Sequence, residues 1–228
     1  GVQMMLEAGQ ARELWEKYKS GYNEVEKKRM KKLLLTSDGF VNPRIAKKFL
    51  ELVGKHPKDI RVIFVPTAAQ GEVEMSYVYE SEKELMGLGI PKENIVWVSD
   101  LKNVEVSNYD AMYVCGGNTF YLMSEIRKAG FDKKIVDFVN SGKVYVGVSA
   151  GSIIMCPDIS ISESFDPNNV SLKDTSGLHM VEKIITPHYQ RKEKAIIDKW
   201  ETSHNYKVVR LNDGQALEVS DTGESIIQ

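Results

Sequence analysis

"YVGVSAGSII", residues 145–154, passes from β-branched and aromatic residues into a small, flexible turn and then into residues compatible with a helix. Its centre has the form Gly-x-Ser-x-Gly, here Gly147-Val148-Ser149-Ala150-Gly151. Between a buried strand and a helix this is the context of a nucleophile elbow. A side chain on so sharp a turn sits in strained backbone, and its neighbours must be small for the chain to turn and for another molecule to approach. Ser149 would then project its hydroxyl above the carboxyl edge of a sheet, with the Ala150 amide facing the same point. The competing reading of the pattern is a tight strand-to-helix connection with no chemistry, so the rest of the chain has to be consulted.

Working outward, continuous apolar runs alternate with helical patterns. "KKLLLTS" (31–37), "RVIFVPTA" (61–68), "NIVWVSD" (94–100), "DAMYVCGG" (110–117) and "KVYVGVSA" (143–150) read as strands buried on both faces. Between them, Asn42-Pro43 opens one helix that Gly54 closes. Further helices are expected up to about Leu88, over 119–129 and over 131–141. The predicted architecture is a doubly wound, largely parallel α/β sheet flanked by helices. Residues 156–177 are rich in turn formers and are expected to loop over the active edge. After them come a strand over 183–189 and a helix through "RKEKAIIDKWETSH". Two short strands joined by a turn at Asn212-Asp213-Gly214 follow, with a third near the end.

The 228 residues suit one α/β domain, placed at 30–228. Residues 1–29 show Leu14, Tyr18, Tyr22 and Val25 at helical spacing and read as a separate amphipathic extension, either foreign to the domain or docked on it. Thirty basic against 32 acidic residues leave a net charge of -2, with no footprint for nucleic acid or an anionic membrane. Two cysteines indicate no disulfide framework, and the chain has no spanning segment, so a cytoplasmic location is expected. Homo-oligomerisation is left open.

Open α/β sheets gather ligands at the carboxyl ends of their strands. The chain places "TSDG" (36–39), "PTAAQ" (66–70), "CGGNT" (115–119) and "SAG" (149–151) there. In the third, Gly116 and Gly117 leave amides unobstructed for a second oxyanion donor, and Asn118-Thr119 can cap the helix behind. The loop lacks a dinucleotide fingerprint and a phosphate-loop lysine, which argues against a nucleotide. Of four histidines only His188, in "ITPHY", directly follows a strand, so it is the candidate base, with a structural imidazole as the rival. Asp158, Glu163, Asp166, Asp174, Glu182, Glu193 and Asp213 are candidates to orient it. Asp213 stands at a strand end, although Asn-Asp-Gly is also ordinary turn composition.

"YVCGGNTFYL", "YVGVSAGSIIMCP" and "ITPHY", in that order, resemble the peptidase E family of serine peptidases, which shares the class I glutamine amidotransferase-like fold. The resemblance covers roughly residues 30–220. It implies Ser149 as nucleophile, His188 as base and Asp213 as third member, with Glu163 as the competing acid. It implies an oxyanion hole from Gly116, Gly117 and Ala150, and substrate contacts from Asn118, Arg191 and Glu163. Arg191 is the nearest match to the Arg that holds an N-terminal Asp in the best-described members, although the segment leading to it is shorter here. The implied activity is hydrolysis of short peptides in a dipeptidase-like manner, with an N-terminal Asp preference and neither metal nor organic cofactor. The alternatives are a cyanophycinase-like or other amide hydrolase and a non-catalytic binding protein.

Overall fold

The computed structural model describes residues 31–228, and the helix expected over residues 1–29 lies outside them. The strands are β1 (Lys32–Thr36), β2 (Val62–Val65), β3 (Ile95–Trp97), β4 (Ala111–Val114), β5 (Val144–Val148), β6 (Ile184–Thr186), β7 (Val208–Arg210), β8 (Ala216–Ser220) and β9 (Gly223–Ile227). The helices are α1 (Pro43–Val53), α2 (Glu72–Gly87), α3 (Thr119–Ala129), α4 (Phe131–Asn140), α5 (Ala150–Ile153) and α6 (Lys194–His204). Seven strands form one sheet in the order β3-β2-β4-β5-β1-β8-β9, parallel from β3 to β1 and antiparallel at β8 and β9. The expected doubly wound α/β architecture is present.

The strands read as continuous apolar runs because both faces of the sheet are covered. Leu33 and Leu35 of β1 enter one core while Leu34 enters the other. Likewise Met112 and Val114 of β4 oppose Ala111 and Tyr113. A strand that alternates sides and is apolar at every position has no solvent face to mark with polar residues. Helix α1 forms as its sequence dictates: Asn42 Oδ1 accepts from the Arg44 amide at 2.9 Å, Pro43 occupies the first turn, and Gly54 caps the end at φ 67°.

One expectation changes. The strands on either side of Asn212-Asp213-Gly214 do not pair with each other. β7 pairs in parallel with β6 in a separate two-stranded sheet, whereas β8 adds antiparallel to β1. The turn therefore carries the chain from one sheet to the other, and the hairpin of this region is β8–β9. Among the described residues no helix is long and apolar enough to cross a membrane.

Candidate active site

Register brings the site together. β1 and β5 pair with Thr36 opposite Val148, so Ser37 and Ser149 leave adjacent strand ends side by side. Ser149 stands at φ 49° and ψ -107°, an unfavourable conformation for a residue with a Cβ. What holds it there is backbone packed against backbone. A Cβ on Gly147 would lie 2.5 Å from Gly151 O, and one on Gly151 would lie 2.3 Å from Val114 O. The Ser149 amide donates to Thr36 O at 3.1 Å, and the buried Ser152 hydroxyl faces both Thr36 O and Gly147 O. The elbow is thus over-determined by its surroundings, as a strained residue requires.

The Gly116-Gly117 connection passes beside it. A Cβ on Gly116 would sit 3.2 Å from Ser149 Cβ, and Gly117, at φ 139°, lies so close to Ala68 O that a Cβ would be 2.2 Å away. Cys115 N and Asn118 N donate to Val65 O and Ala68 O. The two glycines between them line the same cleft as Ser149. The Ala150 amide is at the first position of α5, where no intrahelical acceptor exists.

His188 also has a left-handed backbone, φ 53°. Its Nδ1 is 2.6 Å from Asp213 Oδ1. These residues are 25 positions apart and meet because the β6–β7 pairing runs on past the strands: Leu211 N donates to Thr186 O at 2.9 Å and Tyr189 N to Leu211 O at 3.0 Å. A neutral imidazole with Nδ1 facing a carboxylate would carry its proton on that nitrogen and leave the Nε2 lone pair free. Ser37 ties the pair to β1. Its hydroxyl oxygen accepts from the His188 amide at 2.8 Å and is 3.3 Å from Asp213 Oδ1 and 3.4 Å from Leu211 O. Ser37 is fully buried, and the only sequence sign of it was its place in "TSDG" at a strand end.

Ser149, His188, Asp213, Gly116 and Gly117 line one cleft of about 400 Å³. Its other wall is α2 with the β1–α1 turn, contributing Asp38, Glu74, Glu80, Ser81 and Glu84. Cys115 also reaches the cleft, but burial pushes its thiol well above the ordinary range and leaves it protonated. Burial raises the Cys156 thiol to about 12.

Three expected substrate contacts sit elsewhere. Asn118 caps α3, accepting from Tyr121 N at 2.8 Å and donating to Pro167 O at 2.8 Å, so its amide is occupied. Glu163 is exposed on the otherwise partly buried 3₁₀ turn Ser160–Ser164, and Arg191, also exposed, opens the turn Arg191–Glu193. Neither lines the cleft.

Residues 33–227 match the profile of peptidase family S51. The chain belongs to that family. This S51 chain is 34% identical over 166 residues to an uncharacterized peptidase of Listeria monocytogenes, covering 70% of this chain and 78% of the other. It is 26% identical over 178 residues to peptidase E of Salmonella newport, covering 72% and 75%. Among solved structures, a candidate peptidase E protein from Listeria monocytogenes superposes with a TM-score of 0.70 at 27% identity, covering 87% of this chain and 98% of that one. A peptidase from an acI-B1 Actinobacterium shares the fold, with a TM-score of 0.63, 19% identity and coverage of 86% and 87%. The S51 chain is a serine-type peptidase.

Proposed function

We propose that the chain hydrolyses a peptide bond of a short peptide through Ser149, His188 and Asp213. The observation that carries this reading is the 2.6 Å contact between His188 Nδ1 and Asp213 Oδ1 in the same cleft as an elbow serine. His188 Nε2 takes the Ser149 proton as Oγ adds to the scissile carbonyl. The oxyanion receives the Ala150 amide and one from Gly116 or Gly117. The imidazolium, steadied by Asp213, then protonates the leaving amine, and water releases the acyl group by the same steps in reverse. An Asp one methylene shorter than Glu suffices because the β6–β7 register sets the separation. An amide hydrolase with a non-peptide substrate would use the same atoms. The N-terminal Asp preference that the resemblance implies calls for a cation in the cleft, and Arg191 stands outside its lining.

The test is release of amino acids from a panel of dipeptides by the wild type and by Ser149→Ala. The variant is expected to lose about three or more orders of magnitude in rate while remaining folded. Turnover retained in Ser149→Ala would overturn the mechanism.

A further inference from the structure

The cleft wall facing the nucleophile is acidic. Asp38, Glu74, Glu80 and Glu84 line it in addition to Asp213, and among the described residues no Lys or Arg does. Glu74 and Glu84 lie ten residues apart on α2, about 15 Å along the axis, with Tyr77, Glu80 and Ser81 between them on the cleft side. Glu74 is held by the Gln70 amide, and Glu84 Oε2 accepts from the Phe40 amide at 3.0 Å. Asp38 and Glu80 have no hydrogen-bond or ion-pair partner among the described residues. Carboxylates brought together in a partly buried cleft with few partners repel one another, and an incoming positive charge relieves that repulsion, as uptake of a proton also does.

A second observation points the same way. Tyr113 is fully buried beneath this wall, its hydroxyl close to Ser81 but without a well-formed hydrogen bond among the described residues. A methyl placed on Gly39 would lie 2.9 Å from that hydroxyl, 3.1 Å from Glu84 Oε2 and 4.0 Å from Ser81 Oγ, so the three polar atoms gather around Gly39. Ser81 and Glu84 open onto the cleft. Among the described residues no three carboxylate, imidazole or thiol groups converge as a metal site would require. The acids are spread along a row, which suits an extended organic cation better than a point ion.

We infer that this wall selects peptides whose residue on the acyl side of the scissile bond carries a cationic side chain, Lys or Arg. This rests on the hydrolase reading above and reverses the sign of the preference that the family resemblance implies. The side chain would run along α2 from the Ser149 elbow, its nonpolar stem against Val78 and Tyr77, its charge among Asp38, Glu80 and Glu84. The α-ammonium of a free N-terminus is the other source of the same charge, and the row is longer than that group needs.

The experiment compares kcat/KM for Lys-Ala, Arg-Ala, Ala-Ala and Asp-Ala, and for acetyl-Lys-Ala against acetyl-Ala-Ala. We expect Lys-Ala and Arg-Ala to exceed Asp-Ala by at least about tenfold, with the Lys advantage persisting in the acetylated pair. In the doubly substituted Glu80→Gln, Glu84→Gln protein the advantage should shrink to about threefold or less, through KM. Equal or better cleavage of Asp-Ala overturns the inference. So does an advantage that disappears on acetylation, which would assign the wall to the α-ammonium alone. If no dipeptide is cleaved and Ser149 takes no label from a fluorophosphonate, the hydrolase reading fails by itself. Calorimetric binding of Lys-Ala and Asp-Ala to Ser149→Ala then still decides charge selection: tighter Lys-Ala supports it, and equal or weaker binding overturns it.

Discussion

Ser37 shows how one small buried side chain can govern a site without touching substrate. Its oxygen accepts from the His188 amide and its proton is within reach of Asp213 Oδ1 and Leu211 O, so it links β1 to both partners of the imidazole pair. Removing a buried hydroxyl leaves the His188 amide unsatisfied, at a cost of about 1–3 kcal/mol. Ser37→Ala is therefore expected to lower kcat about tenfold with KM little changed, and Ser37→Thr to restore part of it if the methyl is accommodated. The split between kcat and KM supplies the check, because a displaced imidazole slows the chemical step without weakening binding. An unchanged kcat would reduce Ser37 to packing. At the elbow the constraint is steric. Gly151→Ala would drive a methyl into Val114 O, where a central strand leaves no room to yield, and is expected to cost about 1–3 kcal/mol in denaturant unfolding. A variant of wild-type stability would show that β4 can shift there.

At the scale of elements, the segment 156–177 follows the elbow and is tethered near both ends of helix α3. At the start of α3, the Thr119 amide donates to Asp166 Oδ2 at 2.9 Å and the Asn118 side chain to Pro167 O. Near its end, the Arg127 guanidinium donates to Asp174 O and Ser176 O, each at 2.6 Å. Arg127→Ala removes the second tether and leaves the first, so residues 170–177 should become cleavable in limited proteolysis at unchanged global stability. Protection equal to wild type would mean that Gly177, packed against Cys156 O, suffices to fix the segment. The irregular course of the segment was legible in its turn-forming composition, although none of its residues lines the cleft, and its anchoring was not legible. Nothing local says that Asn118, a helix cap, also donates across 49 residues. The same limit explains the turn at 212–214. β7 has three residues, too few for a period to show which sheet it joins, and its pairing with β6 is decided by packing.

For the whole molecule, the layering of sheet and helices was readable because it repeats along the chain: apolar runs of strand length, capped helices, glycines at turns. The Ser149 elbow was readable for the same reason, since its steric demands are met by immediate neighbours. The acidic wall was not, because which side of α2 faces the cleft depends on how the helix lies over the sheet. The spacing of Glu74, Tyr77, Ser81 and Glu84 was its only trace in the sequence. That wall stores charge, and the consequence is measurable. Burial lifts the Glu84 carboxyl above its ordinary value, opposed by the Phe40 amide and reinforced by the Asp38 and Glu80 carboxylates. Burial also lifts Asp38, opposed by His188 and reinforced by Asp213 and Glu80. A carboxyl with a raised folded-state pKa binds more protons folded than unfolded, so its contribution to stability is complete below the unfolded value, about 4.5 for Glu84, and is lost as pH rises through the folded one. Glu84→Gln keeps an acceptor for the Phe40 amide and removes the titration. The variant's melting temperature relative to wild type should therefore be higher at pH 7 than at pH 4. A difference that stays constant or narrows as pH rises would mean that Glu84 sheds its burden through water or a bound cation, and adding Lys-Ala to the wild type at pH 7 would tell these two apart.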